Sequence, residues 1–190
     1  MAPASNKPQM SKETLLPALA AYVLEHGLGT ASLRPLAKAA GTSDRMLIYH
    51  FGNKQALVSD LLAYIAETYA TALDAAMAGE RATTRQQVVA RILAQLREPA
   101  MQPFQVLWWE IVAGSTRGVP GYREAAEKVM ADLLDWLETQ MPVDDPDPAG
   151  GARYLLTLIE GAQMLGAVGH ARTARAGLNA GLLASDPADD

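Results

Sequence analysis

Apolar residues along this chain recur three and four positions apart and almost nowhere alternate. That spacing gathers them on one face of a helix, whereas alternation marks a half-buried strand. Alanine and leucine dominate and β-branched runs are absent, so the pattern predicts an all-α chain of about nine helices. The first helix is expected from Lys12 or Thr14 to His26, with Leu16, Leu19, Ala20 and Val23 on one face and Gly27 ending it. Pro17 has no backbone donor and is comfortable only in a first turn, which favours the later start. A short second helix follows Ser32 as its cap and turns Leu33, Leu36, Ala37 and Ala40 inward. Gly41 supplies a sharp turn, and Ser43 caps a third helix over Asp44 to Phe51, in which Leu47 and Phe51 lie one turn apart. Asn53 caps a fourth helix that reaches Met77.

Later helices are expected near 84–98, 101–114, 120–140, 151–169 and 171–184. Thr84 and Gln87 form a capping-box pattern, Gly114 stops the second of these helices, and 141–150 (MPVDDPDPAG) reads as a loop. The resulting organisation is a flexible arm over 1–10, a helix-turn-helix domain over 11–54, a larger helical domain over 55–184 and a frayed tail over 185–190.

Composition narrows the classes. At 49% hydrophobic over 190 residues, the chain can bury a substantial core. It has no cysteine, which excludes disulfides and thiolate metal sites and fits a reducing cytoplasm. His26, His50 and His170 are scattered, so neither a metal site nor a cofactor is expected. The longest apolar stretches are interrupted by Glu110 and Glu160, short of the roughly 20 residues a membrane span needs. The run Leu15 to Leu24 imitates the apolar core of a signal peptide, but Glu13 precedes it and the helical pattern runs on into charged residues. Net charge is −5, yet residues 1–54 carry six Lys/Arg against three acids, and the remainder ten against eighteen. A basic end on an acidic body suits local contact with phosphate.

The informative segment is 32–57, SLRPLAKAAGTSDRMLIYHFGNKQAL. Two short helices joined by Gly41-Thr42-Ser43 have helix-turn-helix proportions. If Leu47 and Phe51 face inward, Asp44, Arg45, Met46, Tyr49 and His50 lie nearer the outside of the second one. A helix in the major groove reads bases chiefly from its N-terminal residues, and a guanidinium there, as at Arg45, bonds guanine bidentately. Tyr49, His50 and Lys54 lie further along, where a helix meets sugar and phosphate. Lys54 and the free N–H groups at the start of the fourth helix can hold one phosphate together, and Arg34 is placed for the same task on the other strand.

This segment resembles the DNA-binding domain of the TetR (tetracycline-repressor-like) family of bacterial regulators. Gly27, Leu36-Ala37, Ala40-Gly41, Ser43, Leu47, Tyr49-His50-Phe51, Lys54 and Leu57 fall at that family's positions without a gap, over about residues 12–60. Ile48 stands where the family usually has Tyr, and Arg45-Met46 where it often has a small or polar pair, so an unusual base preference is expected. Asp44 either complements the helix dipole or accepts from cytosine N4. The resemblance implies a homodimeric, cytoplasmic transcriptional regulator that binds a palindromic operator in double-stranded DNA. It further implies a repressor, released by an unknown small, largely apolar effector.

It also implies that the last two long helices form the dimer interface. Tyr154, Leu155, Leu158, Ile159, Ala162 and Leu165, with Leu178 and Leu182, are the expected contacts. The larger domain is expected to enclose an apolar pocket. Trp108 and Trp109 point about 100° apart on a helix, so both hardly face one contact. Tyr64, Met101, Phe104 and Gln105 are candidates to join one of them, as are Met130, Gln163 and Met164. For each of these residues, ordinary core packing is the competing account. An enzyme is the contrasting class: GSTRG at 114–118 is neither a nucleophile elbow nor a phosphate loop, and no catalytic constellation is expected. A helical carrier of small molecules without a DNA-binding role is the remaining alternative, against which Arg34, Arg45 and Lys54 argue.

Overall fold

The computed structural model describes residues 10–183, with side chains through residue 180. The expected arm, Met10 apart, and the expected tail lie outside the described residues. Among the described residues there are nine α-helices, one 3-10 turn and no strand. The helices are α1 (Lys12–His26), α2 (Leu33–Ala39), α3 (Asp44–Phe51), α4 (Lys54–Met77), α5 (Arg85–Gln95), α6 (Gln102–Thr116), α7 (Tyr122–Thr139), α8 (Pro148–Ala167) and α9 (Ala171–Leu183). The 3-10 turn is Pro99–Met101. Among the described residues, no helix is long and apolar enough to cross a membrane.

The chain forms two compact units. The first takes the residues up to Thr71 together with Ala100–Val129. Its core draws Leu15, Leu19 and Val23 from α1, Leu36 and Ala37 from α2, Leu47 and Phe51 from α3, Leu57 and Leu61 from α4, and Leu107 and Ile111 from α6. The first of these is a small correction: Leu15 is buried and Leu16 only half-buried. α2 and α3 have seven and eight residues, too few to persist alone in water, so their burial in this core holds them helical.

The second unit takes Ala72–Pro99 and the residues from Met130 onward. Here α8 packs against both α5 and α9. Val88, Val89 and Ile92 of α5 are buried, as are Ala152, Leu155 and Ile159 of α8. Two arginines bind the segment between α7 and α8. Arg81 donates to the carbonyls of Thr139 (2.8 Å) and Met141 (3.0 Å). Arg85 grips Asp145 with two bonds of 2.7 and 2.6 Å and also donates to the Asp147 carbonyl at 2.9 Å.

Several boundaries differ from expectation for local reasons. α1 begins at Lys12, so Pro17 lies inside the helix rather than in its first turn. The carbonyl that Pro17 leaves without a donor belongs to exposed Glu13, where water can reach it. α6 continues through Gly114 to Thr116. Gly114 is buried and the Tyr122 ring occupies the space a Cβ would need, so this glycine admits a close neighbour and does not end the helix. α8 begins at Pro148, within the expected loop, because Asp147 caps it by accepting from the Gly150 N–H at 2.9 Å. At α5, Thr84 accepts from the Gln87 N–H (3.2 Å), but Gln87 reaches back to the N–H of Thr83 (3.0 Å) instead of that of Thr84.

Candidate nucleic-acid interface

The turn between α2 and α3 is made by Gly41, whose φ of +63° suits glycine, and by Thr42, whose N–H bonds the Ala37 carbonyl at 2.9 Å. Ser43 then starts α3 in extended backbone, its hydroxyl accepting from the Met46 N–H at 3.3 Å. Leu47 is fully buried and Phe51 nearly so. With that side of α3 fixed inward, Asp44, Arg45 and Tyr49 are exposed, Tyr49 to 77%. Met46, Ile48 and His50 are half-buried. The His50 ring meets Tyr49 edge-on at 5.2 Å. Nε2 of His50 and Oγ1 of Thr42 are buried, and among the described residues no hydrogen bond reaches them.

Arg34 stands exposed in the first turn of α2. Ser32 precedes that helix, but its hydroxyl makes no capping bond. Lys54 is the exposed first residue of α4, and Asn53 caps this helix by accepting from the Ala56 N–H at 2.9 Å. Thus Arg34, Ser43, Asp44, Arg45, Tyr49 and Lys54 are all exposed residues of α2, α3, α4 or the turn between α2 and α3. The second helix of the pair keeps a polar edge outward and an apolar edge on a core, which is the arrangement a groove-reading helix requires.

Two contacts that support this assembly join residues far apart in sequence. The ammonium of Lys12 in α1 lies 2.7 Å from Asp60 of α4 and 5.3 Å from the centre of the Phe51 ring. The Glu110 carboxylate of α6 accepts from the backbone N–H groups of Leu28 (2.8 Å) and Gly29 (2.5 Å), just beyond α1.

Residues 15–61 match the family described as bacterial regulatory proteins, tetR family. These residues therefore form a helix-turn-helix domain of the tetR type. The helix-turn-helix is accordingly a DNA-binding element of a transcriptional regulator. Solved structures extend the likeness along the chain. A protein from Streptomyces coelicolor A3(2) described as a transcriptional regulator is 26% identical, with a TM-score of 0.67 over 87% of this chain and 94% of that one. A TetR transcription regulator from Haloarcula marismortui is 18% identical, with a TM-score of 0.64 over 88% and 94%. A transcriptional regulator from Rhodococcus sp. Rha1 is 21% identical, with a TM-score of 0.63 over 89% and 92%. The last two bear on the fold alone. Comparison with curated proteins gave no match.

The remaining candidate residues divide between the two units. Tyr64, Met101, Phe104, Gln105, Trp108 and Trp109 belong to the first, and Met130, Gln163 and Met164 to the second. Tyr64, Phe104 and Trp108 pack on the edge of the first core, and both tryptophans are half-buried. Met101 is buried, and Phe104 lies 5.5 Å from the ring of Tyr69, a neighbour without a signal in the sequence. Gln163 bonds Glu160 at 3.4 Å. Leu155 and Ile159 of α8 are buried, while Tyr154 and Met164 of α8 and Val168 just beyond it are exposed to 41%, 53% and 66%. Leu158, Ala162, Leu165 and Leu178 are half-buried, and the side chain of Leu182 lies outside the described residues.

Proposed function

We propose that this chain is a cytoplasmic homodimeric repressor of the tetR type that reads a palindromic operator with α3 and is released by a small, largely apolar effector. The observation that carries the DNA reading is the exposure of Asp44, Arg45 and Tyr49 on a helix held from behind by Leu47 and Phe51. Arg45 bonds a guanine edge, while Lys54, Arg34 and the start of α4 take phosphates. Ser43 and Asp44 lie at the helix start beside Arg45, and Met46, Tyr49 and His50 line the flank of the same contact. In a symmetric dimer two such helices enter successive major grooves about 34 Å apart. An effector that favours a different spacing releases the DNA by shifting populations. The candidate effector contacts within the first unit are Tyr64, Met101, Phe104, Gln105, Trp108 and Trp109.

Selection of duplexes from a random-sequence pool by the purified chain tests the reading, and enrichment of a palindrome is the expected result. Arg45→Ala is expected to relax the preference at one base pair in each half-site, a loss of roughly 1–3 kcal/mol of discrimination. Lys54→Ala is expected to weaken selected and scrambled duplexes alike and to lower the salt slope by about one for each chain of the dimer. Equal effects of the two substitutions across all duplexes would remove the division of roles.

The dimer reading rests on the exposed apolar side chains of Tyr154 and Met164 on α8 and of Val168 just beyond it. Half-buried Leu158, Ala162, Leu165 and Leu178 flank them. Sedimentation is expected to give the mass of two chains, and Tyr154→Arg to shift it toward one. A wild-type chain that sediments as a monomer at micromolar concentration would overturn it.

A further inference from the structure

Glu110 is the one charged residue of α6, one residue before buried Ile111 and three after buried Leu107. Those two neighbours sit in the same core as Leu28, which brings the carboxylate to the segment following α1. There both carboxylate oxygens are engaged, Oε2 by the Leu28 N–H at 2.8 Å and Oε1 by the Gly29 N–H at 2.5 Å. Gly27 turns the chain at φ +81°, and a Cβ on it would come within 3.0 Å of Oε2. Successive amides aimed at one point form a small anion-accepting concavity, and here a side chain of the protein itself fills it. Burial first, and then the Glu110 charge, hold the Tyr122 phenol above its ordinary pKa.

The held segment leads directly into α2, which packs against α3. We propose that Glu110 is a positioning residue for base reading: by fixing the turn after α1 to α6, it sets the register of α2 and α3 within the first unit. This rests on the DNA-binding reading above. Base-edge bonds tolerate displacements of only about half an ångström, whereas attraction to phosphate is far more forgiving. Loss of the carboxylate therefore erodes discrimination before it erodes general affinity.

The test compares wild type, Glu110→Ala and Glu110→Gln on a duplex selected by the wild-type chain and on its scrambled counterpart, with amide hydrogen exchange read at Leu28 and Gly29. Glu110→Ala is expected to raise Kd for the selected duplex at least about tenfold and for the scrambled one less than about twofold, with exchange at both amides accelerated. Glu110→Gln, which offers one oxygen instead of two, is expected to fall between, and it carries the comparison alone if the alanine variant does not fold. Equal losses on both duplexes would mark a merely structural role and overturn the proposal. So would unchanged affinity, or amides that stay protected without the carboxylate. A wild-type chain with no preference among duplexes would bring down the DNA reading itself, an outcome distinguishable because the exchange at Leu28 and Gly29 still reports on the contact.

Discussion

Leu47→Ala is expected to destabilise the first unit by about 3 kcal/mol, and the loss of DNA binding to follow from it. Leu47 is fully buried, in the same core as residues of α1, α2, α4 and α6. Truncation removes the transfer energy of the lost carbons and leaves a cavity in addition. α3 has only eight residues and almost no stability of its own, so a loosened contact there displaces the helix. For a chain of this length the change corresponds to a fall in melting temperature of roughly 6–12 °C. Leu47→Met keeps nearly the same volume and should recover most of the loss. An alanine variant that melts with wild type would show that α3 is not seated on this core.

The second large effect is expected from Arg85→Ala. The Asp145 side chain is 2% exposed, and Arg85 binds it through two short hydrogen bonds while also donating to the Asp147 carbonyl. Removing the guanidinium leaves a buried carboxylate without its counter-charge, at a cost of roughly 3 kcal/mol to the second unit. The double substitution with Asp145→Ala is expected to be milder than Arg85→Ala alone, since no charge is then stranded.

The hydrogen bond from Arg85 holds the Asp145 carboxyl below the ordinary aspartate range, and the same bond raises Arg85 above its own. A lowered carboxyl stabilises the fold above the ordinary aspartate range, and that stability is lost as pH falls through this range to the folded value. Arg85 stays charged throughout, so the acid limb belongs to Asp145. Denaturant unfolding near neutrality and at about pH 3 should therefore show a gap between wild type and Arg85→Ala that narrows in acid. A gap independent of pH would mean that packing of the Arg85 stem, and not its charge, carries the effect.

The parts of the molecule with local causes were legible in the sequence. Ser43 after Gly41, and Leu47 and Phe51 one turn apart, locate α3 to the residue because caps and helical periodicity are properties of neighbours. Asn53 and Thr84 locate the starts of α4 and α5 in the same way. Where a distant partner decides, the sequence is silent. Gly114 looks like a helix stop until the Tyr122 ring is seen over it. Glu110 looks like an interruption of an apolar run until its two amides appear 82 and 81 residues away. The start of α8 is a different case: Asp147-Pro148 is a local cap signal, obscured by the other prolines and aspartates around it.

Lys12 carries a further consequence for the proposed DNA contact. Its charge is already engaged inside the first unit, by Asp60 on one side and the Phe51 ring on the other. The exposed cations left to the described helix-turn-helix are Arg34, Lys38, Arg45 and Lys54. Four neutralised phosphates at roughly −0.9 each set a logarithmic salt slope no steeper than about −3.6 per protomer from these residues. Over the two chains of the proposed dimer that ceiling doubles to about −7, so raising salt from about 50 to 200 mM would weaken the grip on an operator by up to roughly four orders of magnitude.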